Sequence, residues 1–318
     1  MLSGLPQLAN KQFVIGFVAP IILFALSLGT LDPELLKQVT RGLGTGGDNL
    51  IDVVLTILAL WFGALLLMLA NRLIIRFFSG YLWPLKNWAG QQALVAECAQ
   101  ERAWFEANHP TVLTLATTDP AVRSYNARLF DYYRRFPSSE VLVLGTRFGN
   151  AMRAFELYPD RAYKVDGVAL WPRLEAVISK DYLETLGDAQ SQVNFWVNLS
   201  FFAAVMALIG PVPLLWAILD GTITPTLDKS ELILLWLPFG ALASYVSYHL
   251  AIERLTELGE RTRSAVDVFY PTLISKLAFE RPTTSDDREA LGNQLEQTYL
   301  YYQPVVRPWE PAGSKDGE

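Results

Sequence analysis

Long unbroken apolar runs alternate along the chain with stretches in which apolar residues recur every three or four positions among charges. The first pattern marks helices solvated by lipid, the second amphipathic helices packed on a neighbour. A helix rises about 1.5 Å per residue, so about 20 mostly apolar residues cross a hydrocarbon core about 30 Å thick. Four runs reach that length: Phe13 to Leu31, Leu50 to Ile75, Phe195 to Leu219, and Leu232 to Ile252. The first three hold no ionisable residue in their central turns, whereas the fourth is interrupted by Pro238 and ends on His249 and Glu253. The pattern predicts a mainly α, polytopic membrane protein with four transmembrane helices in two hairpins, residues 1–78 and 195–252. A mostly helical cytosolic domain, 79–194, lies between spans two and three. A helical C-terminal extension, 253–302, and a tail rich in proline and charge, 303–318, follow span four.

Within the polar parts the spacing predicts helices from Ala89 to Asn108, ending at His109-Pro110, and from Pro120 to Phe136. The second has a stripe of Val122, Tyr125, Leu129, Phe130 and Tyr133, with Arg123, Arg128, Arg134 and Arg135 around it as a solvated or salt-bridged face. Glu140 to Leu144 reads as a short strand or extended buried segment, followed by a glycine turn and a helix to Tyr158. Pro172 suits the first position of another helix, in which Leu174, Val177, Ile178, Tyr182 and Leu186 share a face. Apart from a break at Gly187, that helix runs directly into span three. Beyond span four, Ile252, Leu255 and Leu258 continue an apolar face as far as Pro271, Leu273 to Leu277 form a further amphipathic segment, and Asp286 to Tyr302 a terminal helix.

Prolines 20, 211, 213 and 238 fall within or beside three spans. Each removes a backbone N–H, so each frees a carbonyl that a neighbouring helix or water must satisfy. Trp61 lies mid-span, while Trp83, Trp88 and Trp196 fall where interfacial aromatics set a helix's depth.

Composition agrees with lipid as a solvent. Of 318 residues, 51% are hydrophobic and 18% charged, and the mean hydropathy is +0.23. A net charge of -6 leaves no basic surplus for phosphate backbones, so nucleic acid is not an expected partner. Lys11 ahead of the first apolar run invites a signal-peptide reading, but the run is too long and no small-x-small cleavage site follows, which predicts a retained anchor. Lys11, Arg72, Arg76, Lys86, Arg254, Arg261 and Arg263 flank the spans on one side, against Lys37, Arg41 and Lys229 on the other. Retention of basic flanks then predicts a bacterial-type inner membrane with both termini cytosolic and two parallel hairpins.

Candidate chemistry is sparse. The single Cys98 cannot form an internal disulfide, and His109 and His249 are too far apart in the pattern for a zinc site. Walker, dinucleotide, zincin and nucleophile-elbow motifs are missing, so neither enzyme activity, a cofactor nor a metal is expected. The glycine-rich run Gly42 to Gly47 lacks the Lys-Ser/Thr of a P-loop and reads as a connector. Two constellations remain. Gly145, Arg147, Gly149 and Asn150 form a turn before a helix that has the outline of an anion or ligand site. Ser244, Ser247, Tyr248 and His249 give span four the most polar surface, which makes it the candidate pore lining. Two readings follow. One is a non-enzymatic integral membrane scaffold or accessory subunit in a lipid bilayer, whose cytosolic domain binds a partner membrane protein or further copies of itself. The other is an oligomeric channel gated by its cytosolic domain.

Overall fold

A computed structural model describes residues 10–31, 50–82, 89–209, 211, 227–277, 279–280 and 282–300. These residues are mostly helical and include no strand. In chain order the helices are α1 (Lys11–Phe13), a π-turn (Val14–Val18), α2 (Ala19–Leu31), α3 (Leu50–Phe78), α4 (Ala89–Leu113) and α5 (Pro120–Arg135). They continue with a 3-10 turn (Glu140–Leu142), α6 (Arg147–Glu156), α7 (Tyr158–Tyr163), α8 (Gly167–Glu175), α9 (Lys180–Ile209), α10 (Leu227–Lys276) and α11 (Ser285–Leu300). The chain divides into two compact units, residues 1–83 with 187–255 and residues 84–186 with 256–318. The expected segments 32–49 and 212–226, Trp83, Trp88, Pro213 and the tail from Gln303 lie outside the described residues.

Among the described residues, two helices are long and apolar enough to cross a membrane, Val53–Phe78 and Lys180–Leu208, and a third apolar helix, Lys11–Ser27, is shorter. Pro20 explains the irregular entry of the chain. Its missing N–H deprives the Gly16 carbonyl of its helical partner, and its ring crowds that carbonyl. The backbone widens into the π-turn, in which the Ala19 N–H donates to the Val14 carbonyl five residues back. The Gly16 carbonyl accepts instead from Asn198 Nδ2 of α9 at 2.9 Å. Ring stacking ties the helices together, with Phe13 on Trp61 at 5.4 Å and Phe24 on Phe202 at 4.5 Å. α9 and α10 meet where Gly240 has no side chain, because a Cβ there would lie 2.9 Å from the Ala207 Cβ and 3.0 Å from the Ala203 carbonyl.

The second unit is built on an aromatic core. Leu94, Cys98 and Phe105 of α4 face Tyr125 and Tyr132 of α5, with Phe136 and Val143 closing the cluster. Phe105 meets Tyr125 edge to face at 5.5 Å, the favoured geometry for such rings. α5 opens on Asp119, whose side chain accepts from the Ala121 N–H at 2.8 Å. Its arginines are paired as the pattern suggests, Arg128 with both carboxylate oxygens of Glu101 at 2.9 and 3.1 Å. Phe130, expected in the buried stripe, is 52% exposed, because the buried face follows Val122, Tyr125 and Tyr132.

Other expectations are corrected by local physics. α4 continues through Pro110 to Leu113, so the proline costs only the helical bond to the Glu106 carbonyl, and Asn108 Nδ2 donates to the Trp104 carbonyl at 2.7 Å. Glu140–Leu142 forms a 3-10 turn, not a strand, and only Val143 after it is extended and buried. Pro172 lies inside α8, which starts where Asp166 accepts from the Ala169 N–H at 2.7 Å. α8 stops at Glu175, so residues 176–179 separate it from α9. Gly187 leaves α9 unbroken, and the Gln12 side chain fills the space a Cβ would take. Pro271 likewise leaves α10 unbroken over its 50 residues.

Candidate functional site

The glycine turn is a self-contained capping device. Thr146, the N-cap of α6, accepts from the Gly149 N–H through Oγ1 at 3.0 Å. Asn150, 1% exposed, accepts from the Leu144 N–H at 2.6 Å and donates to the Leu144 carbonyl at 3.0 Å. Arg147 reaches Glu97 at 2.9 Å. Gly145 leads into this cap. Arg147, Gly149 and Asn150 therefore have polar groups engaged by protein.

The residues expected to line a pore separate. Ser244 Oγ donates to the Ser200 carbonyl at 3.0 Å, and Ser200 Oγ returns a bond to the Ser244 carbonyl at 2.9 Å, a reciprocal clasp between α9 and α10. Ser247 is buried on the same side. Tyr248 stacks on Phe78 at 5.9 Å. His249 is exposed, with the rings of Tyr245 and Tyr248 from its own helix 4.4 and 5.8 Å away. Ser244 and Ser247 thus share a packed face that His249 does not.

The densest polar cluster is not one that the sequence pattern singles out. It lies on the second half of α10, within the second unit. Arg263, 9% exposed, donates through Nη2 to the Tyr133 carbonyl at 2.6 Å and the Ala154 carbonyl at 3.0 Å, and through Nη1 to Glu260 at 2.7 Å. Tyr133 and Ala154 stand in the last turns of α5 and α6, where carbonyls lack helical partners and the helix dipole is negative. One guanidinium therefore caps two helices. Burial pulls it below the usual arginine range, and Glu260 works in the opposite direction.

One turn on, Asp267 Oδ1 accepts from Tyr158 Oη at 2.7 Å and Tyr163 Oη at 2.8 Å. Burial, then the bond to Asp267, pushes the Tyr158 phenol up to about 12 and raises that of Tyr163 as well. Arg161 lies over the Tyr133 ring at 4.1 Å. Both phenols donate to one carboxylate, so the cluster holds α7 to α10. Among the described residues no group of three His, Cys, Asp or Glu is placed to hold a metal.

Known proteins add nothing to this geometry. No family model, no curated protein and no solved structure matches the chain. Function must therefore be argued from the residues. Arg263 is legible in the sequence only as a basic flank of span four, because its partners are backbone carbonyls 130 and 109 positions away. A cue exists in the alternation of Glu260, Arg263 and Asp267 along one helix that also carries apolar Leu255 and Leu258.

Proposed function

We propose that the protein is a non-enzymatic polytopic membrane scaffold or accessory subunit that assembles with itself through its spans. It has four spans and cytosolic termini, and its second unit is cytosolic and carries the partner-binding surface. Lipid as solvent is supported by α3. Only 11% of its most apolar window is buried, where the core helix of a soluble protein is mostly covered. Ile51, Phe62 and Leu69 are 70%, 62% and 72% exposed. Water would make that continuous apolar face a liability.

The observation that carries the scaffold reading over the channel reading is the Ser200–Ser244 clasp. The Ser244 hydroxyl that span four offered to a pore is engaged in pairing helices of one chain. Self-assembly is supported by His249, an imidazole exposed on a face it shares with Leu242, Tyr245 and Val246. At the end of span four such a group offers another chain both a donor and an acceptor.

The test is the mass of the full chain in lipid nanodiscs, with ion flux measured in liposomes. A dimer or larger assembly without flux is expected. A monomer that recovers no stoichiometric partner under mild detergent would sink the reading, and flux abolished by Ser244→Trp would replace it with the channel.

A further inference from the structure

The first unit contains a second polar cluster, between α1, α3 and α9. Asn194 Oδ1 of α9 accepts from Asn71 Nδ2 of α3 at 3.2 Å and from Gln190 Nε2 at 3.1 Å. Asn198, four residues on and therefore on the same face, donates to the Gly16 carbonyl. These bonds use amide N–H groups and leave oxygens. Asn71 Oδ1 and Asn198 Oδ1 are buried with no hydrogen-bond partner, in residues 9% and 0% exposed. Buried acceptors of this kind are rarely left unmade, because each forfeits its hydration without return.

The imbalance has a sign. Both orphans are acceptors, and the unpartnered groups therefore call for a donor or a positive charge. The Gly16 carbonyl, released from its helix by Pro20, adds a third oxygen at the π-turn. Carbonyl and amide oxygens at a broken helix are the ligands that hard monovalent cations take in membrane proteins. No carboxylate belongs to this inner group, so a divalent ion would remain uncompensated.

A polar stripe on α9 leads to the cluster from the surface. Asp188, whose side chain is 41% exposed, starts a polar lane on α9 that continues through Ser191 to Asn194 and Asn198, from exposed to fully buried. Lys11 holds Asp188 at 2.8 Å at the lane's outer end. The π-turn after α1 lies close along this lane, since a Cβ on Gly16 would come within 3.4 Å of the Asn194 Cβ and 3.5 Å of the Ser191 carbonyl.

We propose that the amide cluster of Asn71, Asn198 and the Gly16 carbonyl binds a small monovalent cation, reached from the Asp188 end of α9.

The experiment is thermal unfolding of the full chain in nanodiscs at constant ionic strength, with Na⁺, K⁺ or NH₄⁺ titrated against N-methylglucamine. Binding to the folded state alone predicts a saturable rise in Tm of about 5 °C at a hundredfold excess over the dissociation constant for at least one cation. Asn198→Ala and Asn71→Ala should abolish the rise, and the exposed Ser264→Ala should keep it. Because the alanine variants risk misfolding, Asn198→Asp is the second probe. Its carboxylate should tighten cation binding about tenfold or more. Equal Tm in all four cations, or an Asn198→Asp protein indifferent to them, means a bridging water only and overturns the proposal.

Discussion

At the residue scale, Arg263 shows how a buried cation is tolerated. Its charge is met by Glu260 and by the carbonyl ends of α5 and α6, so its removal leaves two helix ends uncapped and takes from Glu260 its closest partner. Arg263→Ala should destabilise the second unit by about 3 kcal/mol, as for a broken buried pair, measured by chemical unfolding. Arg263→Lys should recover only part of this, since one ammonium cannot replicate the fork. Glu156 gives the opposite case. Burial raises its carboxyl above the usual value, with Arg153 opposing. A folded-state pKa above the unfolded one favours folding at low pH, and that advantage is lost as pH rises through the folded pKa. Glu156→Gln should therefore raise Tm at pH 7 and flatten its decline between acid and neutral pH. A Tm lowered equally at all pH values would contradict this.

At the element scale, what can be read from the sequence depends on whether the deciding partner is local. The Pro20 signal is readable, because a missing N–H frees a carbonyl wherever the chain goes. Which group receives it is not, since Asn198 is 182 positions away. Similarly, α5 is legible from Asp119-Pro120 and its stripe, both local features. The start of α8 is not, because Pro172 resembles a helix start, while Asp166 supplies the actual cap and the proline is tolerated inside. Gly187, Pro110 and Pro271 read as stops and are not, because packing outweighs a propensity cost of about 1 kcal/mol for glycine and about 3 kcal/mol for proline.

The expected turn from Gly145 to Asn150 is shorter than its sequence suggests, since α6 already begins at Arg147, and its anion outline could not reveal that Asn150 and Thr146 turn back on their own backbone. The Pro20–Asn198 relation predicts non-additivity. In sodium-free buffer, Asn198→Leu should cost about 1 kcal/mol more in the natural chain than in a Pro20→Ala background, where the alanine returns an N–H to the Gly16 carbonyl. A double-mutant cycle with no coupling would refute that account.

At the scale of the whole molecule, α9 and α10 each contribute residues to both compact units without a helical break. α10 carries two different kinds of partner along its length. In the first unit Gly240 and Ser244 pair it with α9, and in the second Arg263 and Asp267 pair it with α5, α6 and α7. Among the described residues exposed on α10 in the first unit are Phe239, Leu242, Tyr245, Val246 and His249, with Glu253 one turn beyond His249. Four of these suit lipid or a neighbouring helix alike, so they do not decide between the two. On the self-assembly reading His249 is the residue that distinguishes them, because a hydrogen bond from a second chain is worth about 1 kcal/mol between membrane helices. A symmetric pair of α10 helices would use the contribution twice, on a contact also made by Tyr245 and Val246. His249→Leu should therefore shift the full chain in nanodiscs about tenfold or more toward monomer, by mass. Its Tm should stay within about 2 °C, because the ring contacts of this exposed residue are with its own helix. His249→Asn, which keeps a donor and an acceptor, should restore much of the assembly. An unchanged mass for His249→Leu would mean that α10 faces lipid alone, and self-assembly would then have to be sought in the exposed Phe130, Val141 or Val168 of the second unit.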